Sequence, residues 1–230
     1  MQVITYNKQT DTDLLYEYLE KGPLLLELNS VFAVIALPNQ SGVEMINRVK
    51  NRLPGKAYGG LIADYKGFIL ASLLNVEEKQ IILTDELAAL FTNCFIRLPW
   101  QEDHASKGMT MHGMFQGLIL SEPFNSFAGS MEQKIKQQEN TSPDLKWLIC
   151  SSANMSGDPM GSIIQFEKAL QFGKDRGIEY MITFSGFPEL PEKGSFPIFS
   201  FTEGLFRIER HGPGAENIKN VLLGRGLFQE

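Results

Sequence analysis

Apolar positions along the chain alternate between two periods. After Thr10-Asp11-Thr12-Asp13, a cluster of N-cap residue types, Leu14, Leu15, Tyr18 and Leu19 recur at helical spacing until Gly22-Pro23 stops the pattern. Positions 24–28 read as a buried strand, and beyond Asn29 and Ser30 the β-type composition resumes over 31–37. A loop at 38–42 starts a helix whose Val43, Ile46 and Val49 line one face. Pro54-Gly55 is a turn signal. The same patterns predict strands at 60–63, 95–98, 117–120, 147–150, 180–184, 198–201 and 205–209. They predict helices at 85–91, 128–138, 162–172 (Ile163, Phe166, Ala169 and Leu170 inward) and 216–223. Residues 101–114, polar and rich in Met, Gly and His, read as a long loop.

Helices and strands alternate, but several strands follow one another directly. The expectation is an α/β (α+β) chain with a twisted mixed β-sheet flanked by helices, forming one domain over 1–230. No internal repeat, low-complexity segment or interdomain linker is evident.

Composition narrows the classes. With 43% hydrophobic and 21% charged residues, the chain is not a disordered protein. Its net charge of −6 disfavours a strongly basic nucleic-acid binder, although a local basic patch is compatible with it. Cys94 and Cys150 sit in apolar runs without CxxC spacing, which reads as reduced core thiols. Residues 1–8 lack a signal pattern, and the longest apolar stretch, 31–37, is far short of the ~20 residues of a membrane span. A cytoplasmic location with no membrane partner is expected.

Two segments could carry chemistry. Residues 151–157, Ser-Ser-Ala-Asn-Met-Ser-Gly, lie between a predicted strand and helix, where small polar side chains and open N–H groups can hold phosphate or carboxylate; an ordinary helix-capping turn fits equally well. Arg48, Lys50, Arg52 and Lys56 cluster at a predicted helix end; such cations can clamp polyphosphate, but most at a helix C-terminus are simply solvated. His104, His112 and His211 have no partner at a diagnostic spacing, and no GxSxG, HExxH or Walker-A pattern occurs. Met109, Met111 and Met114 read as core filling.

Lys50-x-Arg52 followed about a hundred residues later by Ser152-Ala153-Asn154-Met155-Ser156-Gly157 resembles the YrdC-like family, whose best-known members are threonylcarbamoyl-AMP synthases. The family's Gly-Gly ends at Gly22, and its apolar helix before Lys-x-Arg matches Val43, Ile46 and Val49. Residues 206–215 resemble its final strand and Arg-Pro-Gly-Ala, with one extra residue. The family's Pro-Thr-Glu-Thr-Val-Tyr-Gly aligns with Glu27-Leu28-Asn29-Ser30-Val31-Phe32-Ala33, keeping only Val31; Leu28 cannot donate the hydrogen bond a Thr would give. Its Pro-Ser-Thr appears as Ser195-Phe196-Pro197, and two mid-chain family motifs are not evident.

The resemblance implies a YrdC-like fold with an open concave face, and the joining of ATP, L-threonine and bicarbonate into threonylcarbamoyl-AMP and pyrophosphate, serving tRNA modification. It implies nucleotide or phosphate binding (ATP or AMP) by Lys50, Arg52, Ser152, Asn154 and Arg210, substrate binding by Ser30 and Phe32, and Mg2+ arriving with ATP. No catalytic residue and no protein metal ligand is assigned. The alternative is a non-catalytic relative that binds double-stranded RNA, tRNA or a nucleotide, motivated by the altered 27–33 segment.

Overall fold

The computed structural model describes residues 1–8, 11–53, 56–101, 109–138, 146–187 and 190–229. The Pro54-Gly55 turn, His104 and half of the predicted 101–114 loop, residues 102–108, lie outside them. The elements in chain order are β1 (Gln2–Thr5), α1 (Thr12–Lys21), β2 (Leu24–Glu27), β3 (Phe32–Ala36), α2 (Gln40–Lys50), β4 (Gly59–Ile62), α3 (Tyr65–Ala71), α4 (Val76–Ile82) and α5 (Asp85–Leu90). Then follow β5 (Cys94–Pro99), β6 (Met114–Ile119), α6 (Phe124–Lys136), β7 (Ile149–Ser152), α7 (Phe166–Asp175), β8 (Tyr180–Thr183), β9 (Ile198–Thr202), β10 (Leu205–Arg210) and α8 (Ala215–Gly224).

All ten strands join one mixed sheet in the order β1-β8-β2-β3-β7-β4-β6-β5-β9-β10. Parallel pairing (β1/β8, β2/β8, β4/β6, β5/β9) is interleaved with antiparallel pairing (β2/β3, β3/β7, β4/β7, β5/β6, β9/β10). This is the mixed sheet that the uneven alternation of helices and strands implies.

The period-2 geometry of strands sorts the core into two layers. Phe32, Val34, Ile96, Phe115, Ile149 and Phe199 point to one face, where α2, α3, α4, α5, α7 and α8 pack. Ala33, Ile35, Phe95, Leu118, Cys150 and Ile198 point to the other, where only α1 and α6 pack. Two helices cannot cover ten strands, so part of that second face stays open. Fully burying one of these large apolar side chains contributes roughly 1.5–3 kcal/mol, so the thickly covered face holds most of the packing energy.

Four elements depart from the sequence reading. β1 was not anticipated, because a four-residue edge strand that is mostly exposed leaves no alternation to read. α3 and α4 were also not anticipated; each has only seven residues, although Asn75 and Glu78 form a reciprocal capping box that is visible in sequence. α7 begins at Phe166 rather than at 162, so Ile163 belongs to the preceding loop, where its N–H bonds the Ala153 carbonyl at 3.2 Å and its own carbonyl receives the Phe32 N–H at 3.0 Å. Phe166, expected inward, is 38% exposed. Of the methionines, Met109 is fully buried, whereas Met111 lines the cavity described next.

Candidate functional site

Helix α2 sets one side of the site. Asn39 caps its start by accepting the Gly42 N–H at 2.8 Å, and Asn51, left-handed at φ 47°, ends it. Lys50 falls four residues after Ile46 and seven after Val43, on the same apolar stripe, so the helix carries its ammonium inward. Lys50 is therefore 2% exposed, and the solvated helix-end cation is not what forms.

The 152–156 loop closes on that ammonium. Lys50 Nζ donates to the Ser152 carbonyl, to the Asn154 carbonyl at 2.7 Å and to Asn154 Oδ1 at 3.1 Å. Ser152 Oγ donates to the same Oδ1 at 2.7 Å. Three of the loop's N–H groups are already bonded: Ala153 to the Phe32 carbonyl, Asn154 to that of Ser152, and Ser156 to that of Lys50. The loop is also thirteen positions upstream of α7, counted from Ala153 to Phe166, so it is not the mouth of a helix. The expected strand-to-helix turn is thus corrected to a loop that closes on Lys50 well before α7.

Arg52 emerges beyond the Asn51 turn. Its guanidinium donates to Ser151 Oγ at 2.9 Å and to the carbonyls of Ala57 and Lys56, and it lies 4.1 Å from the centre of the Tyr58 ring. Arg210 comes from the opposite edge. The register of β10 against β9 slips between Ile208 and Arg210, a bulge of one extra residue. Simple alternation from Phe206 and Ile208 would send Arg210 to the helix-rich face; the bulge turns it toward the open one. There it bonds the Phe196 carbonyl through Nε at 3.2 Å and Nη2 at 2.6 Å, with its carbon 5.9 Å from the Phe95 ring centre.

Lys50, Arg52, Ser152, Asn154 and Arg210 line one cavity of about 320 Å³ on the open face, at the small end of the ~300–1,000 Å³ of ligand sites. Ser30 and Phe32 do not line it. Phe32 has the wrong parity: Val31 and Ala33 face the cavity, while Phe32 packs against Phe166 on the other side. Ser30 is buried and exchanges hydrogen bonds with the Gly194 backbone. Leu28, the residue at the family's Thr, does line the wall.

Lys56, named in the basic cluster, also lines the wall; sequence reasoning missed Arg97 and Gln116. Arg97 and Gln116 lie on the Phe95 and Leu118 parity of β5 and β6, a polar interruption of apolar strands that could have signalled them. Arg97 donates to Gln116 Oε1 at 2.9 Å and pairs with Glu209 at 3.6 Å.

Five cations thus line the cavity and, among the described residues, no carboxylate does. Desolvation is the leading cause of the perturbed ionisation. Burial, with Arg52 and Lys56 nearby, pulls Lys50 from 10.5 to about 7. Burial lowers Arg52, and burial together with Arg97 brings Arg210 to about 10. Burial likewise pushes the Cys150 thiol on the cavity floor up to about 12, which leaves it a neutral core group. Among the described residues no group of three His, Cys, Asp or Glu could hold a metal, so the donor set does not suit a protein-held Mg2+. No described helix is long and apolar enough to cross a membrane.

No family model matches the sequence, and no curated protein matches it. Solved structures do match in fold. Sua5 of P. abyssi, crystallised with L-threonine, aligns with a TM-score of 0.70 at 17% identity over 96% of this chain and 61% of its own. The chain thus spans about three fifths of the Sua5 length. A hypothetical protein of Streptococcus mutans gives a TM-score of 0.69 at 15% identity, covering 100% of this chain and 96% of that one. YciO of E. coli gives 0.58 at 11% identity, over 91% and 93%. The likeness is one of fold: the mixed sheet flanked by helices is the YrdC-like arrangement that the two motifs imply.

Proposed function

We propose that the cavity binds the phosphates of a nucleotide and serves an adenylating reaction of the threonylcarbamoyl-AMP synthase type. The carrying observation is the convergence of Lys50, Arg52, Lys56, Arg97 and Arg210 on one pocket without a lining carboxylate among the described residues. Five cations around one cavity, of which Lys50 is buried and only Arg97 has a carboxylate beside it among the described residues, favour an anion that enters, and most of all a polyanion.

In such a reaction an acid oxygen attacks the α-phosphorus of ATP, the bond to the bridging oxygen breaks, and its electron pair leaves with pyrophosphate. The protein needs to supply positioning and charge neutralisation rather than a covalent partner. Arg52 and Arg210, on opposite walls, are suited to span a polyphosphate; Lys50 is suited to fix the 152–156 loop and to add charge once an anion is present. Any Mg2+ would arrive on the nucleotide, and no step is routed through it. The RNA reading is not carried forward, because Lys50 is buried and Arg52 and Arg210 are tied into the cavity wall, whereas a nucleic-acid backbone needs cations spread over an open face.

The test is titration of AMP and pyrophosphate by calorimetry at low salt, followed by pyrophosphate release from ATP with and without L-threonine and bicarbonate. Binding that weakens as salt rises is expected. A folded protein that binds neither AMP nor pyrophosphate removes the reading; one that binds both but releases no pyrophosphate with any acid leaves a nucleotide-binding module without the reaction.

A further inference from the structure

Resting on that phosphate-site reading, we propose that Arg97 is a specificity-determining residue that reads the length of a phosphate chain, and that Glu209 holds it back until a chain long enough to reach the β5 wall draws it off.

The geometry of the two walls carries this argument. Arg52 is bonded to Ser151 on β7, whereas Arg97 stands on β5. In the sheet order β7-β4-β6-β5 three strand spacings separate those two positions, about 14 Å at the backbone. Both arginines line the cavity, and Arg210 reaches it from the β9-β10 side. A single phosphate meets the Lys50 and Arg52 wall; a chain of two or three crosses toward Arg210 and Arg97.

Arg97 has donors to spare. One of its five N–H groups bonds Gln116 Oε1 at 2.9 Å. Glu209 Oε2 lies 3.6 Å from Nη1, beyond the about 2.7–2.9 Å of a charge-assisted hydrogen bond. The carboxylate itself is 40% exposed. Glu209 is the residue that the bulge leaves out of the β9-β10 ladder, and its other oxygen takes the Ser200 hydroxyl at 2.7 Å. Ser200 stands opposite Arg97 in the β5-β9 register, so Glu209 leans across β9 toward the cavity cation. Among the described residues, Arg97 alone of the five cavity cations has a carboxylate within ion-pair distance. A long, partly solvated ion pair is readily exchanged for a phosphate oxygen at closer range, and the planar guanidinium suits a phosphate better than the present contact does.

Calorimetry on the full chain compares orthophosphate, pyrophosphate and tripolyphosphate at fixed ionic strength, for the parent, Arg97→Gln, Glu209→Gln and the double variant. Parent affinity is expected to climb from orthophosphate to tripolyphosphate. Arg97→Gln is expected to cut the ratio of tripolyphosphate to orthophosphate affinity about ten-fold, the loss of one charge-assisted contact. Glu209→Gln is expected to tighten tripolyphosphate about three-fold, leave orthophosphate unmoved, and do nothing once Arg97 is replaced. An unchanged ratio in Arg97→Gln overturns the proposal, as does a Glu209→Gln gain that persists in the double variant or extends equally to orthophosphate. Should Arg97→Gln fail to fold, Glu209→Gln decides: a gain confined to the longer chains supports the proposal, and no gain overturns it. Equal parent affinity for all three ions overturns this inference alone. If the folded parent binds none of them, it is the phosphate-site reading that falls, and this inference falls with it.

Discussion

Lys50 and Asn154, 104 residues apart, meet through two hydrogen bonds, Nζ to the Asn154 carbonyl at 2.7 Å and to its side-chain Oδ1 at 3.1 Å. A third bond, to the Ser152 carbonyl, makes this ammonium the clasp between α2 and the loop after β7. Lys50→Met keeps the length of the side chain but leaves three oxygens without that donor. Asn154 Oδ1 keeps the Ser152 hydroxyl and the Ser152 carbonyl keeps the Asn154 N–H, so the loss falls mainly on the Asn154 carbonyl, and a net cost of about 1–3 kcal/mol is expected. The midpoint of urea unfolding measures it; a loss below about 0.5 kcal/mol would mean that the clasp contributes nothing to the fold.

The same lysine makes the protein's stability depend on alkaline pH. In the unfolded chain Lys50 keeps its proton up to about 10.5, whereas in the fold burial and the neighbouring Arg52 and Lys56 release it near 7. Between these values the unfolded state binds more protons, so the Lys50 contribution makes stability rise from pH 7 toward 10.5. An anion in the cavity reverses the shift by restoring the ammonium. AMP is a full dianion at pH 8, so its binding there is expected to take up a fraction of a proton. Calorimetry in buffers of different ionisation enthalpy reads that uptake, and AMP affinity should fall as pH climbs above 7. Zero uptake, or release, would disconnect Lys50 from the ligand.

The layering and the site were legible to different degrees. Most strands were readable because alternation is a local property, and the parity of Phe95, Leu118 and Cys150 follows directly from it. Lys50, Arg52, Ser152 and Asn154 were named from motif order, and they do meet. What the sequence hid depends on long-range pairing. Phe32 was placed in the site although its strand parity turns it to the opposite face. Arg210 could be named, but the bulge that aims it is a relation between β9 and β10, invisible in either strand alone. Arg97 and Gln116 went unread because nothing local says that the polar positions of β5 and β6 face a cavity rather than water.

Arg52 offers a test of shape against charge. Its planar group joins Ser151 Oγ, the backbone around Lys56 and Ala57, and the Tyr58 ring at once. A lysine keeps the charge but cannot reproduce the fork or the stacking. Arg52→Lys is therefore expected to weaken pyrophosphate binding about ten-fold, roughly 1.4 kcal/mol, and Arg52→Ala to weaken it further. If Arg52→Lys binds as the parent does, the guanidinium geometry is irrelevant to the ligand.

Glycine at the cavity floor is a packing requirement that can be separated from any ligand. A Cβ on Gly59 would collide with the Phe95 ring edge and lie 3.2 Å from Cys150 Sγ. Both neighbours line the cavity, and the ring sits beneath the Arg210 guanidinium. Gly59→Ala must therefore push Phe95 toward the ligand space or spread β4 from its partners, an overpacking cost of about 1–3 kcal/mol. Gly224, the last residue of α8, has nothing within 4 Å of its would-be Cβ. There the same substitution only restricts the unfolded chain and should stabilise by about 0.4–1 kcal/mol. Thermal unfolding of the two variants side by side should give shifts of opposite sign, and Gly59→Ala alone should also lose AMP affinity. If Gly59→Ala lost stability but bound AMP as tightly as the parent, Phe95 would yield away from the cavity and the ring would not bound the ligand.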